Sequence, residues 1–187
     1  MKQKLVKIAC ALLIAGCLMT ACKKETGETN EEELITTIQL TFAPVGGGTS
    51  LTYEFSDLDG PGGAPPTQDE IVLAPSKTYN VSVQVLNESV SPAEDITEEV
   101  EEESDAHRFY YEPSAGSNIT VSALDNDASG VPLGITSTWT TDAASTGTII
   151  ITLRHYPGNP PGKETSDPVN SGKSGTDVTA TFNTKIQ

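Results

Sequence analysis

The chain has 187 residues, with 26 acidic side chains against 11 basic ones and a formal net charge of −15 at pH 7. A field of that sign repels polyanions, which excludes nucleic acid as a partner and favours cations or basic surfaces. The three cysteines, Cys10, Cys17 and Cys22, all lie within the first 22 residues, so no disulfide staples the remainder and its stability rests on a packed core.

The N-terminus opens with Lys2, Lys4 and Lys7, and residues 8–21 then carry no charge. Fourteen apolar residues are too few to span a bilayer as a helix but suit the apolar core of an export signal. Leu18-Met19-Thr20-Ala21-Cys22 resembles a lipobox, in which the cysteine is lipidated and the chain is cut before it. Leu13-Ile14-Ala15-Gly16-Cys17 competes, but it shortens the apolar core to residues 8–16 and leaves Leu18 and Met19 on the mature chain. Polarity changes abruptly after Cys22, at Lys23-Lys24-Glu25, so the expectation is a signal peptide over 1–21 and lipidation at Cys22. Three of the 11 basic residues leave with the signal, so 8 remain against 26 acids, a net charge of −18. Several acyl chains give lasting membrane attachment, where a single one binds only marginally.

Residues 23–33 (KKETGETNEEE) hold no apolar side chain, which predicts a flexible tether over 22–33. Eleven such residues reach about 18 Å by random-coil scaling. Glu31-Glu32-Glu33 resembles, weakly, the acidic stretch that directs some envelope lipoproteins to the cell surface.

From residue 34 to 187 the apolar pattern has period two, the signature of half-buried strands. In chain order the sets are Ile38, Leu40 and Phe42; Leu51, Tyr53 and Phe55; Ile71 to Leu73; and Tyr79, Val81, Val83 and Val85. Phe109 and Tyr111 follow, then Ile119, Val121 and Ala123, then Leu133, Ile135 and Trp139. Ile149, Ile151 and Leu153 precede the last set, Val178, Ala180, Phe182 and Ile186. About nine strands joined by Gly/Pro/Asp/Asn turns predict a single antiparallel β-sandwich domain of immunoglobulin-like type.

One segment departs from this pattern. Ser91-Pro92-Ala93-Glu94 has the form of a capping box, and Ile96 and Val100 follow at helical spacing, predicting a short helix from 92 to about 104. Eight acids and no base stand between 94 and 105, and pairs such as Glu98/Glu102 and Glu99/Glu103 repel by about 0.2–0.5 kcal/mol each. Glu94, Asp95, Glu98, Glu99 and Glu101 form a candidate docking face for a basic partner.

The helix leads into His107, and the other histidine, His155, ends the strand of Ile149, Ile151 and Leu153. Two histidines with nearby carboxylates suit zinc or a similar divalent ion, with Glu102, Glu103 and Asp105 as candidate oxygen ligands. The competing expectation has both histidines closing the edge of the core and the acids forming a solvated face; the spacing matches no recognised metal motif.

Other motifs are weaker. Asp125-Asn126-Asp127-Ala128-Ser129-Gly130 resembles half of a calcium loop, but Thr136 stands where the bidentate glutamate belongs, so a turn is expected there, as at Asp57-Leu58-Asp59-Gly60. Gly172-Lys173-Ser174 lacks the glycine a phosphate loop needs at 167, where Asp167 stands. No Gly-x-Ser-x-Gly elbow occurs and no cysteine follows Cys22, so no enzymatic activity is expected.

Three stretches, Asp57 to Pro65, Glu88 to Glu103 and Thr152 to His155, together resemble Bacteroidota lipoproteins labelled type 1 periplasmic binding fold superfamily proteins. The resemblance implies an outer-membrane lipoprotein working beside TonB-dependent receptors, and it brings no ligand residues with it. The family label denotes a two-lobed α/β architecture, whereas the strand pattern predicts a β-sandwich. The resulting expectation is a non-catalytic binding accessory of an outer-membrane uptake system, for a metal ion or chelate. The alternative is a structural or protein-docking module of the cell envelope.

Overall fold

The computed structural model describes residues 34–60 and 62–187. The expected signal peptide, Cys22 and the expected tether lie outside the described residues. Within them the chain forms β1 (Thr37–Pro44), β2 (Leu51–Ser56), β3 (Thr67–Gln68), β4 (Glu70–Leu73) and β5 (Thr78–Asn87). Then come β6 (Glu94–Asp95), α1 (Thr97–Glu102), β7 (His107–Pro113), β8 (Ile119–Ser122), β9 (Thr136–Thr141), β10 (Ser145–His155) and β11 (Gly175–Ile186).

Two sheets make a β-sandwich. One runs β3-β2-β1-β5-β9-β8, with β6 added to the far part of β5; the other runs β4-β11-β10-β7. The alternation read from the sequence explains the core. Ile38, Leu40 and Phe42 on β1, and Ile149, Ile151 and Leu153 on β10, are all fully buried. Phe42 meets Tyr53, Tyr79 and Trp139 edge-on at 5.7, 5.9 and 5.1 Å, and Phe55 of one sheet meets Phe182 of the other at 6.3 Å. Edge-to-face packing of this kind adds about 0.5–1.5 kcal/mol per pair beyond the burial of area.

Several expectations are corrected. The pairing is not wholly antiparallel, because β4 joins β11 in parallel, with Ile71 opposite Thr184 and Leu73 opposite Ile186. The set Leu133, Ile135 and Trp139 does not form one strand. Leu133 offers its carbonyl to the Phe109 amide at 2.7 Å, and Ile135 offers its own to the Val83 amide at 2.9 Å. The segment thus crosses from the edge of one sheet to the other and closes the side of the sandwich. Gly134 makes the crossing possible: its φ is +89°, and a Cβ there would stand 3.1 Å from the Phe109 Cβ. Ala123 lies beyond β8, exposed and at positive φ.

The helix is shorter than its acidic run. Glu94 and Asp95 pair with Asn87 and Leu86 as β6, and the Ile96 amide still donates to the Val85 carbonyl at 3.0 Å. Only from Thr97 is the backbone released from the sheet. The Thr97 hydroxyl accepts the Val85 amide at 2.9 Å, while its own amide donates to the Asp95 carboxylate at 3.0 Å. Pairing with β5 therefore outweighs the expected capping box, and Ile96 and Val100 still bury the predicted apolar stripe.

Candidate metal centre

β7 and β10 are antiparallel neighbours, in register so that His107 stands directly opposite His155. Directly opposed residues of such a pair hold their Cβ atoms about 4.5–5.5 Å apart. The two imidazoles stack, with centroids 4.8 Å apart and planes 19° from parallel. Glu103 closes the C-terminal end of α1 and brings its carboxylate to the same place; one ligand atom from each of Glu103, His107 and His155 lies within 4.8 Å of the others. Glu102 and Asp105, the other predicted ligands, are exposed and fall outside this cluster.

His107 is 1 % exposed. Its Nδ1 lies 3.2 Å from the Glu103 carbonyl oxygen. That oxygen can only accept, so Nδ1 carries the hydrogen and Nε2 presents its lone pair, the tautomer found when a second-sphere carbonyl orients a metal-binding histidine. The Nε2 atom of His107 and Nδ1 of His155 are buried and have no hydrogen-bond partner among the described residues. Burial, followed by the field of His155, lowers the His107 pKa from 6.5 to about 4, so the ring is neutral at pH 7 and no proton competes with a metal.

The chemistry of this donor set fits a borderline divalent ion, and the partly open side at Glu103 and His155 gives a route in. Ligand atoms of a tetrahedral zinc stand about 3.3 Å apart, so an ion here requires the 4.8 Å cluster to contract by about 1.5 Å and the stacked rings to turn out of parallel, so that their in-plane lone pairs converge.

Nearby, a second cationic arrangement is already filled. The Lys163 ammonium donates to the carbonyls of Ser104, His107 and Pro132 at 2.5, 2.9 and 3.3 Å, and pairs with the Asp127 carboxylate at 2.9 Å. Asp127 also accepts the Ser129 and Val131 amides, and Asp125 accepts the Thr136 amide. The loop that resembles a calcium site thus spends its carboxylates on its own backbone and on a lysine. Sequence reading missed Lys163 because it stands in the polar stretch 158–175, where nothing in the local pattern marks a buried amine.

The predicted docking residues separate. Glu98, Glu99 and Glu101 are exposed on α1, whereas Glu94 and Asp95 belong to β6, and Asp95 is held by Gln84 and Thr97. No protein-family model, no curated protein and no solved structure matches this chain.

Proposed function

We propose that this chain is a cell-envelope lipoprotein, anchored through Cys22, whose β-sandwich is a non-catalytic module that takes a divalent metal ion at Glu103, His107 and His155. The observation that carries this reading is the pair of buried imidazole nitrogens, on directly opposed residues, that have no hydrogen-bond partner among the described residues. A buried acceptor left unsatisfied costs about 1–3 kcal/mol, and an ion in this place would satisfy both nitrogens together. The signal-like N-terminus and lipobox support the anchor, and the family resemblance supports work beside a TonB-dependent receptor, as an accessory that captures an ion or its chelate at the outer membrane.

The test is thermal unfolding of the full chain in detergent, stripped of metal and then given zinc, copper, manganese or calcium. An ion bound only by the folded state stabilises it by about 2.7 kcal/mol at a hundredfold excess over Kd. A rise of several degrees with zinc or copper, lost in His107→Ala and in His155→Ala, is the expected result. Identical melting with and without every ion would sink the metal reading.

A second reading is favoured by α1. Glu98, Glu99, Glu101 and Glu102 are exposed and form no ion pair among the described residues. If no ion stabilises the chain, this face becomes the functional surface, a docking site for a basic envelope protein.

A further inference from the structure

Strand β11 carries an irregularity beside the histidines. Leu153 of β10 pairs with Val178, but the next residue, Arg154, pairs with Thr176, so Asp177 is the extra residue of a β-bulge. Beyond the bulge the alternation reverses. Val178, Ala180 and Phe182 turn towards the core, and the Thr179 hydroxyl meets that of Thr152 at 3.3 Å on the other face. Before the bulge it is Thr176 that turns outward, to meet the Arg154 guanidinium. Asp177 would face outward in an unbroken strand; the bulge turns it in. Its side chain is fully buried, with Oδ2 3.9 Å from Nε2 of His107. Re-aiming one side chain is what bulges beside functional sites do.

We propose that Asp177 is the fourth ligand of the metal centre, so that His107, His155, Glu103 and Asp177 form a two-nitrogen, two-oxygen cage for a borderline first-row divalent ion such as zinc. This rests on the metal reading above and adds to it the ligand from β11 and the class of ion. In a tetrahedral zinc site a nitrogen and an oxygen ligand stand about 3.4 Å apart, so the His107–Asp177 contact shortens by about 0.5 Å on binding, and the Asp177 carboxylate, which lies outside the Glu103, His107 and His155 cluster, also closes on the other two ligands. Two carboxylates balance the two positive charges of the ion, and two neutral imidazoles complete the set. Two imidazole ligands disfavour calcium and magnesium, which take oxygen cages. The described residues contain no cysteine or methionine, so the soft donors that select cuprous ion are missing from the site.

The test is calorimetric titration of zinc into the metal-stripped full chain in detergent, for wild type, Asp177→Asn and Asp177→Ala, with calcium and magnesium in a parallel series. The expected result is one zinc per wild-type chain, no competition from millimolar calcium or magnesium, and at least tenfold weaker binding in Asp177→Asn. Added acetate should restore part of the affinity of Asp177→Ala, because a free carboxylate can take a vacated ligand position but cannot repair a merely structural loss. Cobalt-loaded wild type should show the intense visible absorption of four coordination, a readout independent of whether the variants fold. Wild type that binds zinc as tightly as Asp177→Asn, or a weak six-coordinate cobalt spectrum, overturns the Asp177 assignment while leaving the histidine site standing. Wild type that binds no zinc overturns the histidine site, and this assignment with it.

Discussion

His107 concentrates the electrostatics of the centre in one side chain. Burial, His155 and Lys163 push its pKa down, while the Glu103 carbonyl and Asp105 push it up, and Asp177 approaches its Nε2. The downward causes win, and the folded chain protonates this ring only near pH 4. An unfolded histidine takes its proton near pH 6.5, so between those values the unfolded state holds more protons. The contribution of His107 to stability is therefore complete above about pH 6.5 and is lost as pH falls towards 4. The metal-free chain should melt at progressively lower temperature across that window, with a shallower slope in His107→Gln; equal slopes would remove His107 as the cause.

Lys163 makes a second prediction at this scale. Its side chain and that of Asp127 are 1 % and 2 % exposed, so the pair is broken inside the protein and not in water. Lys163→Met leaves a buried carboxylate and three carbonyls without their donor, and removing one partner of a buried pair costs about 3–5 kcal/mol. Denaturant unfolding should show a midpoint shift of that order. A loss below about 1 kcal/mol would mean that water takes over the amine's contacts.

Among the elements, the strands were legible in the sequence wherever the period-two pattern ran unbroken, as in β1, β5 and β10. Failures came where a tertiary partner intervened. β6 and the late start of α1 reflect hydrogen bonds to β5, a strand whose position no local pattern around Ser91 to Glu94 encodes. The crossing segment at Gly134 looks like a strand because Leu133 and Ile135 are both buried, yet they serve different sheets. Gly134→Ala adds a Cβ at positive φ against the Phe109 side chain, and such backbone strain costs about 1–3 kcal/mol. Lowered stability of this variant, with little change in an Ala substitution at exposed Gly172, is the expected pair of results.

The candidate site was half legible in the same way. Glu103, His107 and His155 were visible as residue types that suit a metal, but Asp177 was not, since it sits in a run of alternating threonines where parity alone places it outside. The one-residue slip between Leu153 and Arg154 reverses that parity, and a slip in register belongs to the pair of strands, not to either sequence.

For the whole molecule, one core spans both sheets, and Trp139 at its centre is the chain's single tryptophan. Its fluorescence should report one cooperative transition coincident with loss of β-sheet circular dichroism; two separate transitions would mean that the sheets unfold independently. Phe42→Ala removes the ring that joins Tyr53, Tyr79 and Trp139 and should cost about 3–5 kcal/mol. The proposed membrane attachment belongs to this scale as well. Cys22→Ser should release the chain from the detergent phase into the aqueous phase on partitioning, whereas Cys17→Ser should not; the opposite pattern would move the anchor to Cys17.

The sequence by itself determined that the chain is acidic, that its first 22 residues have the pattern of a lipobox-bearing export signal, and that its body folds as a two-layer β-sandwich. Those properties follow from charge, from the length of one apolar run and from side-chain alternation, all of which are local. Only the tertiary structure decided that His107 and His155 face each other, that Lys163 fills the oxygen cage beside them, and that Asp177 points inward. These depend on which strands become neighbours and in which register, and the register is set by the fit of two faces across the core.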